Sequence, residues 1–154
     1  IVAHEFGHAA HNILSNEAGI DWTQVQWNSP LTWLNQEGAA THFSRRTVQN
    51  LHPSIYFSYD DEGYKWLTFS ESNNKEVKRA FAEDFFNLSP ELVFHEWFSI
   101  NGGERFGYCR LGYFIGDMFF QNQIRKLDEI GAITAWKDKE FEENVKLWLV
   151  QDSI

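Results

Sequence analysis

The residues best suited to chemistry open the chain. His4, Glu5 and His8 stand in the spacing H-E-x-x-H. On an α-helix, positions four apart lie one turn above each other on the same face, so two imidazoles there can grip one metal ion from a rigid support. Glu5 projects to the side, where its carboxylate can reach water at an open coordination position without itself being a ligand. Two neutral nitrogen ligands, an open position and a carboxylate base are the equipment of a zinc hydrolase.

The helix that must carry these groups spans about 1–16 and ends near Gly19. At about 100° per residue, Val2, Phe6, Ala9 and Ile13 form one apolar stripe, and His4, His8 and His11 form another nearly opposite. Three histidines flanked by Gly7 and Ala10 do not make a solvated face. The pattern predicts a helix buried on both sides, with its polar stripe turned towards a site. His11 shares that stripe, either as a group behind the ligands, as a contact to substrate, or as a residue closing the pocket without chemical duty.

Catalytic zinc commonly has three protein ligands and a water, so a third is needed. The extended helical pattern with Gly at 11 and His at 14 is excluded, because His11 and Leu14 stand there. The alternative is a carboxylate from a second helix. Glu37 lies among Trp33, Leu34, Ala40 and Thr41 on its own face, a poor place for an unpaired charge. Gly38, Ala39 and Ala40 are small enough to let that helix approach the first.

The chain of 154 residues fits a single domain over 1–154, and 43% hydrophobic with 17% aromatic residues supports a substantial core. A formal net charge of −9 argues against nucleic acid and against anionic membranes, both of which require basic patches. No apolar run approaches the roughly 18 residues of a membrane span. The one cysteine, Cys109, excludes an internal disulfide. The sequence begins without Met, already within the H-E-x-x-H helix, so an upstream portion is expected to be missing.

The remaining elements read mostly as helices. Ser29-Pro30 is a cap-plus-proline start for a helix over 30–51, stopped by His52-Pro53. The aromatic arms of 55–69, around Asp60-Asp61-Glu62-Gly63, read as a small β-hairpin, although an irregular flap would carry the same signature. A polar break at 70–74 precedes a helix ending at Leu88. Ser89-Pro90 starts a short helix through Phe98, and Asn101-Gly102-Gly103 is a turn. A helix over 110–127 follows, and Asp138 is the expected cap of a last helix carrying Phe141, Val145, Trp148 and Leu149.

His4-Glu5-Phe6-Gly7-His8 followed by Trp33-Leu34-Asn35-Gln36-Glu37-Gly38-Ala39-Ala40 resembles the gluzincin metallopeptidases, the clan of thermolysin and the zinc aminopeptidases. The likeness is nearest to a group of uncharacterised, predicted zinc-dependent proteases, in which a Glu-Gly-x-Ala segment precedes a Gly-Tyr-x-x-Gly helix. Gly112-Tyr113-Phe114-Ile115-Gly116 matches the latter. The resemblance covers the first 45 or so residues and the 110–127 helix. It implies a mainly α, zincin-like metallopeptidase helical domain without its upstream sheet, with Zn2+ on His4, His8 and Glu37 and a peptide or protein substrate. It further implies Glu5 as general base and Tyr113, with Tyr108 as its rival, as donor to the developing oxyanion. Two positions depart from the clan. Gln36 rather than Asn precedes Glu37, and Thr41 replaces the Asp that orients a ligand histidine, leaving a hydroxyl for that role. A metallopeptidase-like binding or scaffold domain without turnover is the alternative from another class.

Overall fold

The computed structural model describes residues 1–59 and 63–152. It is mainly α-helical, with no strand among the described residues. Helix α1 spans Val2–Glu17, α2 Pro30–Thr47, α3 Tyr64–Ser72, α4 Asn74–Asn87, α5 Pro90–Trp97, α6 Leu111–Thr134 and α7 Phe141–Val150, with 3-10 turns at Pro53–Phe57 and Ala135–Lys137. No helix among the described residues is long and apolar enough to cross a membrane.

Helix α2 is the centre of the architecture, packed between α1 and α6. Leu31, Thr32, Leu34, Asn35, Gly38, Ala39, Ala40, Thr41, Phe43 and Ser44 are all buried, which is why its sequence shows so little amphipathic contrast. Its start is the one expected: the Ser29 hydroxyl accepts the Leu31 N–H at 3.3 Å and Pro30 opens the first turn. Its end comes at Thr47, earlier than the expected 51. Val48 is extended, Asn50 is left-handed, and His52 is held extended by the proline after it.

Two backbone approaches set the spacing of the three helices. A Cβ on Gly7 would lie 2.7 Å from the Cα of Ala40, so α1 and α2 cross almost backbone to backbone. A Cβ on Gly38 would lie 2.5 Å from the carbonyl carbon of Gly116 in α6. Only a residue without a side chain fits at such crossings. The small residues around Glu37 therefore divide their work, with Ala40 meeting α1 and Gly38 meeting α6.

Helix α1 is buried on one face only, which corrects the expectation of burial on both. Its inner face is Ala3, His4, Gly7, His11 and Ser15. Val2, Phe6 and Ile13 are 70%, 59% and 59% exposed. The small inner residues bring α1 tight against α2, and the described elements leave its apolar stripe uncovered.

The hairpin expected over 55–69 is absent among the described residues. Its first arm falls in the Pro53–Phe57 turn and its second in α3; the expected turn residues Asp60, Asp61 and Glu62 lie outside the described residues. Proline opens the first arm, with the His52 side chain accepting the Ser54 N–H. The alternation of aromatics that suggested strands instead places Trp66 and Leu67 in the core. That core, on the far side of α2 and α6, joins Trp66, Phe81, Trp97, Phe119 and Trp148. The Trp97 indole donates to Asp84 at 2.9 Å and the Trp66 indole to the Cys109 carbonyl at 2.9 Å.

Helix α6 runs past the expected 127 because it is two helices meeting at Asp128 (φ 67°, ψ −179°), whose side chain accepts the Gly131 N–H at 2.8 Å and so caps the second segment. Glu140 rather than Asp138 occupies the N-cap of α7; the Asp138 backbone carbonyl accepts the Phe141 N–H at 3.1 Å.

Candidate metal centre

The face of α1 that meets α2 carries His4 and His8, one turn apart, with ring centroids 4.9 Å from each other. Glu37 projects from α2 towards both. Its Oε2 lies 2.8 Å from His4 Nε2 and 3.5 Å from His8 Nε2. The three side chains form a group that can hold a metal ion, their ligand atoms all within 4.8 Å of one another. Ligand bonds of about 2.0–2.2 Å around a tetrahedral zinc ion place neighbouring donor atoms about 3.3 Å apart. The two His–Glu distances bracket that value and the remaining donor pair lies within 4.8 Å, so the three side chains can close on one ion if they adjust.

The orientation of His4 is fixed from behind. Its Nδ1 lies 3.1 Å from the Tyr56 carbonyl in the Pro53–Phe57 turn. A carbonyl can only accept, so Nδ1 carries a hydrogen and Nε2 is the nitrogen turned to Glu37, the arrangement that orients metal-binding histidines generally. This partner was hidden in the sequence, because a backbone carbonyl leaves no residue-type signal. Thr41 does not take the expected role: its hydroxyl donates at 2.9 Å to the Glu37 carbonyl one turn back, satisfied within its own helix.

The electrostatics favour an anion on α2 between two imidazoles. Burial opposes a charge on Glu37, yet hydrogen bonds from His4 and His8 hold its carboxyl below the usual range. Burial likewise opposes a charged His8, but the hydrogen bond and charge of Glu37, with the charge of Glu5, raise it above an ordinary imidazole. Glu5 itself is exposed, close enough for its charge to act on His8.

Tyr113, on the first turn of α6, stands edge to face with His4 at 5.6 Å. Burial, then the charge of Glu37, pushes its phenol well above the ordinary tyrosine range, so the hydroxyl keeps its proton. Among the described residues that hydroxyl has no hydrogen-bond partner and is available as a donor. Beyond Tyr113 lies Arg110, its guanidinium 5.7 Å from the same ring; sequence reasoning did not single it out, and one arginine among several carries no motif. Tyr108 instead stacks on Phe69 at 4.7 Å.

The remaining histidines are placed elsewhere. His11 is fully buried one turn further along α1. Its Nε2 donates to the Ile133 carbonyl at 3.2 Å and its ring stacks on Trp136 at 4.5 Å. Burial lowers its pKa to about 4, so it is neutral. His42 pairs with Glu129 at 2.7 Å, and His52 caps the Pro53–Phe57 turn. The residues brought together are thus His4, His8 and Glu37, with Glu5 and Tyr113 alongside, a set suited to holding a cation, accepting a proton and donating a hydrogen bond. Comparison with models of known families, with curated proteins and with solved structures yields no match to this chain.

Proposed function

We propose that this chain is a zinc-dependent peptide hydrolase of gluzincin type, with a zincin-like helical arrangement around His4, His8 and Glu37. The observation that carries the reading is the convergence of two imidazoles from α1 and one carboxylate from α2, with the Glu5 carboxylate and the Tyr113 phenol nearby and without hydrogen-bond partners among the described residues. A bound zinc ion would supply Lewis acidity, lowering the pKa of water to about 7 and polarising a carbonyl oxygen.

The chain's own groups supply the proton movements. Glu5 takes a proton on its carboxylate from the attacking water and passes it to the leaving amine nitrogen, a role open to an exposed carboxylate one residue from a ligand histidine. The Tyr113 hydroxyl donates a hydrogen bond to the oxygen that gains charge as the scissile carbon becomes tetrahedral. The Tyr56 carbonyl keeps the His4 ring in one orientation throughout.

The test has two steps. Metal content after dialysis against zinc is measured first, then cleavage of a mixed peptide library is followed by mass spectrometry for wild type and Glu5→Gln. One zinc per chain with cleavage lost in Glu5→Gln supports the reading. Zinc without Glu5-dependent cleavage replaces it with a metal-containing binding or scaffold domain. No stoichiometric zinc overturns it.

A further inference from the structure

We infer that Arg110 anchors a substrate carboxylate beside the metal centre, which makes the proposed peptidase selective for peptides with a free C-terminus or an acidic side chain near the cleaved bond. The inference rests on the peptidase reading for the word substrate, but the anchoring itself rests on Arg110. This residue is the N-cap of α6 and holds a left-handed backbone (φ 58°), a conformation strained for any residue that carries a side chain. Its guanidinium lies over the Tyr59 ring at 4.3 Å and 5.7 Å from the Tyr113 ring, with Nη1 donating to the Ser58 carbonyl at 3.0 Å.

The guanidinium is under-used where it sits. Arg45, Arg46 and Arg105 each hold a carboxylate, whereas Arg110 has none among the described residues, and its Nε is sealed from solvent without a partner. Arg110 is half-buried at the cavity wall, and a planar fork of N–H groups suits a carboxylate entering from that side. The cavity in front of it, about 820 Å3 and open to solvent, is lined by Tyr59, Trp66 and Tyr108, with the exposed Ile1 and Val2 at its edge. In a chain of net charge −9, the charged side chains lining this cavity among the described residues are both cations, Arg110 and Lys65.

Distance sets which carboxylate. The guanidinium and the His4 ring flank one Tyr113 ring, so they are no more than about 11 Å apart. An extended peptide covers about 3.3–3.6 Å per residue. The anchored carboxylate therefore falls within about three residues of the scissile carbonyl, as a terminal α-carboxylate or as an Asp or Glu side chain.

Two experiments decide it. Zinc-loaded Glu5→Gln protein is titrated, with tryptophan fluorescence as readout, with N-acetylated hexapeptides of one common sequence. The peptides end in carboxylate or carboxamide and carry Glu or Gln at one position. The expected result is at least tenfold tighter binding of one carboxylate form over its neutral twin. That ratio should fall below about threefold when Arg110→Gln or Arg110→Gly is added, and zinc stoichiometry should not change. Arg110→Gly accepts the left-handed backbone without strain, so loss of the preference in it is not loss of folding. The carboxamide pair identifies a terminal anchor and the Gln pair a side-chain anchor. Equal binding of charged and neutral twins, no binding at all, or a preference that survives both substitutions overturns the inference. The mixed-library cleavage is then compared between wild type and Arg110→Gln. Cleavage without carboxylate preference sinks the Arg110 role alone. Absence of cleavage sinks the peptidase reading, and the fluorescence ratio still decides the anchor.

Discussion

A methyl group at Gly7 is expected to pry the two halves of the metal site apart. The added Cβ would lie 2.7 Å from the Ala40 Cα, where carbon atoms normally keep about 3.5–4.0 Å, so the helices must separate locally by about 1 Å. Backbone, not a flexible side chain, is what the methyl meets, and over-packing of this kind costs about 1–3 kcal/mol. Alanine's better helix propensity returns about 0.8–1.0 kcal/mol in a helix interior. The net destabilisation is therefore about 0–2 kcal/mol. The effect on metal is larger in proportion. Glu37 lies 2.8 and 3.5 Å from the two imidazole nitrogens, and ligand bonds tolerate only about 0.2 Å of error, so a 1 Å separation is expected to weaken zinc by at least tenfold. Urea unfolding in chelator gives the first quantity, and zinc competition against a chromophoric chelator gives the second. Gly19→Ala is the control. Gly19 has φ 78° with open space around it, so alanine there should cost about 1–2 kcal/mol and leave zinc affinity unchanged. Wild-type zinc affinity in Gly7→Ala would refute the claim that this crossing sets the site.

Other outcomes follow from the same geometry. Glu37→Gln should bind no zinc at micromolar concentration. Zinc at a hundred times its dissociation constant should stabilise the wild type by about 2.7 kcal/mol, a Tm rise of roughly 5–10 °C that chelator abolishes and Glu37→Gln lacks. Glu5→Gln, an exposed position, should unfold within about 0.5 kcal/mol of wild type while peptide cleavage falls by about 10²–10⁴. Tyr113→Phe should lower kcat with little change in KM, since the hydroxyl acts on charge that develops only during reaction. In metal-free protein, His11 binds a proton less readily folded than unfolded, so its contribution to stability is whole above about pH 6.5 and is lost as pH falls to about 4. At about 1.4 kcal/mol per pH unit this amounts to about 3 kcal/mol. Urea unfolding at pH 7 and pH 4 should show that difference between wild type and His11→Gln, and equal slopes would rule out a neutral buried His11.

The sequence carried the site better than its surroundings. The meeting of His4, His8 and Glu37 was legible because donor types at helical spacing can be read from the sequence, and the Ser29 and Ser89 caps because an N-terminus demands a side-chain acceptor. The 55–69 segment was misread because aromatic residues suit strands and buried helices alike, and only the packing of Trp66 against Phe57 and Tyr59 separates the two. The exposed side of α1 was misread because apolar residues in a stripe show amphipathicity without showing which side is covered. Here the polar and small side is inside, because α2 passes so close. The Tyr56 carbonyl behind His4 and the Arg110 guanidinium, which has no carboxylate partner among the described residues, depend on tertiary contacts that no local pattern encodes.

The bend at Asp128 makes α6 two levers rather than one rod. The part before it carries Tyr113 and Gly116 against the site and α2, while the short part after it carries Ile133, whose carbonyl ties down His11 and Ser15 of α1. A straight helix would pass any tilt of its far end directly to Tyr113. With a joint between them, the far end can settle against α1 while the phenol keeps its place beside His4.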